Sequence, residues 1–324
     1  MTIRLPQLAM LTGIKRHTLN ARAKNILSAN EIERNRANQI TLNPSQINKI
    51  LQNDIYKSKC RIIYIGNLKG GVGKTALSYI LCETLSNLGF KTCAIDLDVQ
   101  ANLTSQYLKP NSEKKVFLDL IEKLSTLEET ITNLRPYLDI IPSSLKNSLI
   151  EKCLTMQQPK HYLTWLNDLC LNNLREIYDF IVVDTPPHLT TLNSVFCLCL
   201  EQQDTLLIPV SPDEFSLLGV NMFLDDVFEI RKSYRVIEQV NIKIVMNRFF
   251  QTQRSNLEAL IKMNQQYGEL FSNVILKDYS KIREIIENKS GIMNIKSGKE
   301  IYTFIANLLK ELNIIKGQKN DIES

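Results

Sequence analysis

The sequence predicts an α/β fold in which a mainly parallel, twisted sheet is flanked by helices and preceded by a small N-terminal helical domain. From Cys60 onward, apolar runs of strand length alternate with amphipathic stretches, which is the signature of strand-helix-strand units. These runs are continuous in Ile, Val and Leu, which indicates parallel strands buried on both faces. Basic residues are concentrated in the first 50 residues, and this sets that segment apart from the rest.

The charge distribution divides the chain. Residues 1–50 carry eight Lys or Arg against two Glu, a net charge of +6, whereas all 324 residues together carry +5. A basic small domain beside a near-neutral large one indicates a polyanion partner for the first. We expect a helix-turn-helix domain over 1–50, a linker over 51–59, a large α/β domain over 60–315 and a disordered tail over 316–324.

Composition indicates a globular protein. The chain is 44% hydrophobic and 23% charged, and no apolar run approaches the roughly 18 residues of a membrane span. The first residues, "MTIRLPQLAM", lack the features of a secretory signal, so we expect a cytoplasmic protein. The seven cysteines are scattered among apolar residues, which is typical of free buried thiols.

The segment "LPQLAMLTGIKRHTLNARAK" reads as two short helices. Pro6 suits a first helical turn, Gly13 breaks the helix, and a second helix begins near Lys15. The polar face of the second helix suits phosphate and base-edge contacts in a major groove, and "ERNRANQITLNPSQINKIL" supplies a basic wing and a packing helix. A merely solvated basic face remains the alternative. The candidate DNA-binding residues are Lys15, Arg16, Asn20, Arg22, Arg34 and Arg36.

Seven strands are predicted for the large domain. In open parallel sheets, ligands bind outside the carboxyl ends of the strands, so the residues that follow each strand carry the chemistry. The predicted strands are 61–67, 91–98, 138–143, 179–186, 205–211, 241–249 and 273–276.

The turn "KGGVGKT", residues 69–75, follows the first strand and precedes a helix. Its glycines let backbone N–H groups approach and cradle phosphates at the helix N-terminus. In such a loop Lys74 contacts the outer phosphates and Thr75 holds Mg²⁺ through its hydroxyl. The usual phosphate loop has a glycine where this chain has Leu68, and Lys69 stands before the glycine pair.

Carboxylates follow two further strands. Asp96 and Asp98 lie in "DLDVQAN", and one of them is expected to serve Mg²⁺ through water while the other orients the attacking water. Asp184 ends the apolar run "FIVV" before two prolines, which is the form of a Walker B carboxylate in the metal shell. These turns together predict a P-loop NTPase.

These motifs resemble the ParA family of deviant Walker ATPases, a branch of P-loop proteins that includes the MinD cell-division ATPase and the nitrogenase iron protein. The resemblance covers about residues 58–315. It is carried by "KGGVGKT", "DLDVQANLTS", "VVDTPP", "LLIPVSPDEFSLLGV" and "ILKDYSKIREIIENKSGI". It implies an ATP-dependent homodimer in which Lys69 reaches the partner's nucleotide, so the residue at position 68 does not count against the assignment.

The resemblance also implies roles for individual residues. Lys69, Lys74 and Asp98 are the expected catalytic residues, with Asp98 positioning the hydrolytic water. Thr75, Asp98 and Asp184 are expected around Mg²⁺. Two residues depart from the family pattern, Leu68 and Ala76, but neither departure removes a metal ligand or the lysine before the glycine pair. The implied nucleotide-binding residues are Lys69, Gly70, Gly71, Val72, Gly73, Lys74, Thr75, Ala76 and Asn247.

The same resemblance implies partners. The first 50 residues look like the MerR-type winged helix by which larger plasmid partition proteins bind their own operator. A ParB-like centromere-binding protein is the implied stimulator of slow ATP hydrolysis, and nonspecific DNA of the nucleoid is the implied substrate surface. The residues implied in nonspecific DNA binding are Lys277, Lys281, Arg283 and Lys289.

Two other functions stay open from the sequence. A membrane-cycling ATPase like MinD would use a C-terminal amphipathic helix, and "IYTFIANLLKELNIIKG" has that spacing. We expect this segment to be the last core helix instead, with no membrane partner, because it lacks a dense basic face. The other alternative is a nucleotide-switched transcriptional regulator, which the N-terminal basic domain favours.

Overall fold

The computed structural model describes residues 2–55, 59–109, 113–159, 161–277, 282, 284, 291 and 299–316. The N-terminal segment folds as helix, turn and helix beside a small antiparallel sheet, whose first strand precedes the helices. Gly13, with φ of 71°, ends the first helix in the left-handed conformation that glycine tolerates best. The elements are β1 (Ile3–Arg4), α1 (Leu5–Thr12), α2 (Arg16–Ile26), β2 (Glu33–Arg34), β3 (Ile40–Leu42) and α3 (Pro44–Leu51), with β3 in the middle of the sheet.

The large domain is built on an eight-stranded sheet within the described residues. Its strands are β4 (Arg61–Ile65), β5 (Thr92–Asp96), β6 (Thr132–Arg135), β7 (Leu138–Ile141), β8 (Phe180–Asp184), β9 (Thr205–Val210), β10 (Asn241–Met246) and β11 (Phe271–Ile275). The order is β11-β10-β9-β4-β8-β5-β7-β6, and all neighbours are parallel except β6 and β7. All seven predicted strands are confirmed, and β6 is an addition at the edge.

Helices cover both faces of this sheet. They are α4 (Lys74–Asn87), α5 (Asn102–Tyr107), α6 (Phe117–Ile121), α7 (Leu127–Thr130), α8 (Ile150–Gln157), α9 (Tyr162–Leu166), α10 (Asn172–Ile177), α11 (Thr191–Leu198), α12 (Glu214–Ser233), α13 (Arg254–Tyr267) and α14 (Lys299–Glu311). Strand β4 shows the two layers directly. Ile63 and Ile65 pack into the core that contains α4 and α14, whereas Ile62 and Tyr64 pack into the core of α11 and α12.

The N-terminal segment packs against α14 and shares its hydrophobic core. The Gln7 side chain donates a hydrogen bond to the Tyr302 hydroxyl at 3.2 Å. Ile55 forms an antiparallel bridge with Ile315. Residues 51–55 were assigned to a linker from the sequence. In the structure Leu51 and Ile55 are buried, because they continue the apolar face of α3. Residues 56–58 lie outside the described part of the chain.

Helix α14 is the core helix that the sequence predicts. Ile301, Phe304, Ile305 and Leu308 are all buried, and so they do not present an apolar face for a bilayer. Among the described residues, no helix is long and apolar enough to cross a membrane. Residues 317–324 of the predicted tail lie outside the described residues.

Candidate nucleotide site

The phosphate loop connects β4 to α4 at the carboxyl edge of the sheet. Gly71 and Gly73 have φ of 74° and 97°, a conformation that side-chain-bearing residues rarely adopt, so the loop needs glycine at both positions. Gly73 is also the N-cap of α4, whose first backbone N–H groups have no partner within the helix. The loop and the helix terminus together form an anion-binding cradle.

Lys74 is turned back over this loop. Its Nζ donates hydrogen bonds to the carbonyl oxygens of Asn67 and Lys69, each at 3.0 Å, and only 7% of the residue is exposed. Burial lowers the pKa of Lys74, and the carboxylates of Asp184 and Asp98 oppose that effect. The ammonium therefore lies where the outer phosphates of a nucleotide would need a counter-charge.

Asp184 lies fully buried at the end of β8. Its Oδ1 accepts a hydrogen bond from the Ser78 hydroxyl at 2.9 Å, whereas Oδ2 is buried and accepts none from the described residues. Burial, followed by the charge of Asp96, raises the pKa of Asp184 to about 8, while the hydroxyls of Thr75 and Ser78 act in the opposite direction. A carboxylate oxygen without a donor beside a threonine hydroxyl is the donor set that Mg²⁺ prefers, so the residues fit this metal.

Ser78 was not predicted from the sequence as a site residue. It lies one helical turn after Lys74 on α4 and therefore faces the same side as the loop. That spacing was the available signal, but a serine four residues after a phosphate-loop lysine is too common to be informative alone.

Asp96 and Asp98 have different roles in the structure. Asp96 has no exposed surface, and its carboxylate accepts hydrogen bonds from the Thr104 N–H at 2.8 Å, the Thr104 hydroxyl at 2.7 Å and the Asp98 N–H at 3.1 Å. Asp98 instead lines the pocket. The carboxylate available for positioning water is thus Asp98, while Asp96 anchors the chain that presents it.

The pocket in front of the loop has a volume of about 430 Å³. It contains seven of the predicted residues, namely Gly70, Gly71, Gly73, Lys74, Thr75, Ala76 and Asp98. It also contains residues that were not predicted as site residues, although four of them lie within the quoted motifs "DLDVQAN" and "VVDTPP": Gln100, Asn102, Gln106, Thr185, Pro187 and Arg248. Most of these come from the chain after β5 and β8, so the polar wall opposite the loop is made by the turns that follow those two strands.

Asn247, which the resemblance implies in nucleotide binding, lies behind the loop and is absent from the lining of this pocket. Its Nδ2 donates to the Val72 carbonyl oxygen at 2.9 Å, and its Oδ1 accepts from the Arg248 N–H at 2.8 Å. Val72 is itself fully buried. In this structure both residues therefore support the phosphate loop from within the core.

Lys69 is turned away from its own pocket. Its ammonium forms an ion pair with Asp213 and donates to the Ser216 hydroxyl at 3.2 Å. Both partners belong to the start of α12. The two loop lysines thus point in different directions, Lys74 into the loop and Lys69 out of it.

A second concave surface lies between α2 and the small sheet, with a volume of about 640 Å³. Its polar lining includes three predicted DNA-binding residues, Arg16, Asn20 and Arg34. Lys15 and Arg36 are exposed outside this lining. Arg22 forms an ion pair with Asp54 and does not line the groove, so its side chain is engaged in holding the module together.

The residues implied in nonspecific DNA binding are only partly described. Lys277 is exposed at the carboxyl end of β11. Lys281, Arg283 and Lys289 lie outside the described residues.

The parallel sheet, the phosphate loop and the buried carboxylates define a P-loop NTPase. A family model described as an AAA domain matches residues 60–244. An uncharacterized protein of Methanocaldococcus jannaschii is 32% identical over 216 residues, covering 64% of this chain and 81% of that protein. The virulence plasmid ParA family protein pGP5-D of Chlamydia muridarum is 27% identical over 260 residues, covering 78% of this chain and 92% of that protein.

A solved structure shares the fold. A plasmid partition protein of Borrelia burgdorferi bound to AMPPNP aligns with a TM-score of 0.58 at 24% identity, over 78% of this chain and 100% of that one. The chain belongs to the ParA family of P-loop ATPases. It is therefore an ATPase, and ATP with Mg²⁺ is the ligand pair for which the site is built.

Proposed function

We propose that this protein is a DNA partition ATPase that dimerises on ATP, binds DNA nonspecifically and is released when a ParB-like centromere-binding protein stimulates hydrolysis. The observation that supports it best is the divergence of the two loop lysines. Lys74 lies over its own phosphate loop, whereas the Lys69 side chain is paired with Asp213 and does not line its own pocket. A lysine placed so is suited to complete the site of a second protomer.

The chemistry follows from the residues on each side of the interface. When ATP and Mg²⁺ are bound, the metal compensates charge on the outer phosphates. Lys74 and the glycine N–H groups hold those phosphates, and Thr75 and Asp184 supply the oxygen ligands for the metal shell. Asp98 orients the attacking water, and Lys69 from the partner adds positive charge where negative charge develops. Closing two protomers over both nucleotides excludes bulk water from each site.

The DNA-binding step is tested with random duplex DNA. The protein with ATP and Mg²⁺ should shift this DNA, and the protein with ADP should not. Lys69→Ala should bind ATP yet lose cooperative DNA binding, whereas Lys91→Ala, at the opposite end of the sheet, should behave like the wild type. Equal DNA binding with ATP, with ADP and without nucleotide would refute the proposed cycle.

The partner step is tested by phosphate release. A slow intrinsic rate that rises when the centromere-binding protein and DNA are added together supports the partition function. A rate unaffected by either addition would favour the alternative function, a transcriptional regulator in which the nucleotide only switches DNA binding.

We also propose that the N-terminal module binds operator DNA and represses its own operon. The supporting observation is the groove between α2 and the small sheet, lined by Arg16, His17, Lys24 and Arg34 with amide side chains between them. A gel shift that compares upstream DNA with random DNA at fixed salt tests this role. Equal affinity for both sequences would exclude a specific operator.

A further inference from the structure

Several interactions within the same protomer hold the Lys69 side chain in its contact with Asp213. The Lys69 backbone N–H donates to Asn67 Oδ1 at 2.9 Å, which fixes where the side chain starts. Its ammonium then reaches both Asp213 and the Ser216 hydroxyl. Gly219 lies beneath the stem of the lysine, since a Cβ at that glycine would lie 3.8 Å from the Lys69 Cβ.

The acceptor side is pre-organised as well. Asp213 is the N-cap of α12, where its carboxylate also accepts a hydrogen bond from the Ser216 N–H at 3.0 Å. Partial burial raises the pKa of Asp213, but hydrogen bonds from Lys69, Ser211 and Ser216 outweigh this and lower it. Asp213 therefore presents a fixed negative charge to Lys69.

The ion pair between Lys69 and Asp213 is also partly exposed to solvent, so that it can dissociate. The side chains of Lys69 and Asp213 remain 29% and 38% exposed. Because water can replace each partner, such a pair contributes far less than a fully buried one. Lys69 can thus separate from Asp213 without leaving an unpaired charge buried in the core.

One ammonium cannot occupy two places. If Lys69 is to reach the nucleotide of a second protomer, its contacts with Asp213 and Ser216 must first be released or rearranged. We propose that Asp213 is a positioning residue that holds Lys69 on its own protomer and so raises the ATP and protein concentrations needed for dimerisation. This inference rests on the proposed role of Lys69 across the dimer interface.

The size of the effect follows from the exposure of the pair. Removing one exposed ion pair is expected to change an equilibrium by about twofold to fivefold. Each dimer releases two such pairs, so the dimer dissociation constant should change by roughly fourfold to twenty-five-fold.

The test is Asp213→Asn, which removes the charge but keeps an N-capping side chain, so that α12 stays formed. Light scattering across a protein dilution series with ATP and Mg²⁺ should show tighter dimerisation than in the wild type. Asp226→Asn, which removes an exposed carboxylate further along α12, is the matched control and should have no effect. Asp213→Glu keeps the charge, so the protein concentration needed for dimerisation should return towards that of the wild type.

A second readout separates positioning from a purely structural role. In the nucleotide-free monomer, the effects of Asp213→Asn and Lys69→Ala on the melting temperature should be less than additive, because either change removes the same pair. A wild-type dimerisation threshold for Asp213→Asn, or weaker dimerisation, would overturn the inference while leaving the proposed function intact. Failure of the wild type to dimerise on ATP would instead overturn the proposed function and the inference with it.

Discussion

Gly89→Ala is predicted to loosen the N-terminal module from the ATPase domain. Gly89 follows α4 with φ of 87°, and a Cβ there would lie 2.2 Å from the Pro44 carbonyl oxygen at the start of α3. The left-handed conformation costs an alanine about 1–2 kcal/mol. The overlap also displaces α3 and breaks the 3.1 Å hydrogen bond from Asn48 to the Gly89 carbonyl, a further loss of about 1 kcal/mol.

The measurement is urea unfolding combined with hydrogen exchange of the amides in α3. Together with the lost packing, the expected destabilisation is about 3 kcal/mol, concentrated at the contact between α3 and α4. Gly268→Ala is a control for backbone strain without a steric clash, because Gly268 also has positive φ, at 50°, but no atom lies within 4 Å of its added Cβ. Gly268→Ala should leave exchange in α3 unchanged, and if Gly89→Ala leaves it unchanged as well, the contact between α3 and Gly89 does not stabilise the protein.

Four further substitutions test the site and the groove. Asp98→Ala should keep ATP binding but lower hydrolysis by about 10²–10⁴-fold, as phosphate release would show, because the water loses its orienting carboxylate. Asn247→Ala removes the hydrogen bond to the Val72 carbonyl and should weaken ATP binding by roughly fivefold to tenfold in a fluorescent-nucleotide titration, whereas unchanged affinity would contradict its support of the loop. Arg16→Ala should lower operator affinity, and the slope of log affinity against log salt concentration should fall by about one, as expected for the loss of one phosphate contact. Arg22→Ala should chiefly lower the melting temperature, because Arg22 forms an ion pair with Asp54.

The sequence predicted the sheet well because strong physical signals coincide there. The predicted strands are rich in Ile, Val and Leu, and two glycines of the loop, Gly71 and Gly73, are required by backbone geometry at a strand-to-helix turn. Strand β6 carried no such signal. Its residues "TNLR" are mostly polar and partly exposed at the edge of the sheet, where one side of the strand has no neighbouring strand.

The side-chain partners within the site were harder to predict. The sequence places Asp96 and Asp98 at the same turn, but only the fold shows that Thr104 occupies one carboxylate and leaves the other at the pocket. The pairing of Lys69 with Asp213 joins residues 144 positions apart through the packing of α12 on the loop. Such contacts depend on three-dimensional packing, for which local patterns carry no signal.

The docking of the N-terminal module was missed for a related reason. The interval from 51 to 59 looked like a linker because it is polar, yet Leu51 and Ile55 are buried against the body of the protein. Two apolar residues one helical turn apart are a weak signal unless their partner surface, which here includes Ile315 after the end of α14, is already known.

The most direct test of the central claim, that Lys69 completes the site of the partner protomer, is a mixing experiment with two inactive variants. Lys69→Ala retains Asp98, and Asp98→Ala retains Lys69, so a mixed dimer contains one site with both groups if Lys69 acts across the interface. With ATP and Mg²⁺, the mixture should then release phosphate faster than either variant alone. If Lys69 acts within its own protomer, no site in the mixed dimer is complete, and the mixture would be as inactive as its components.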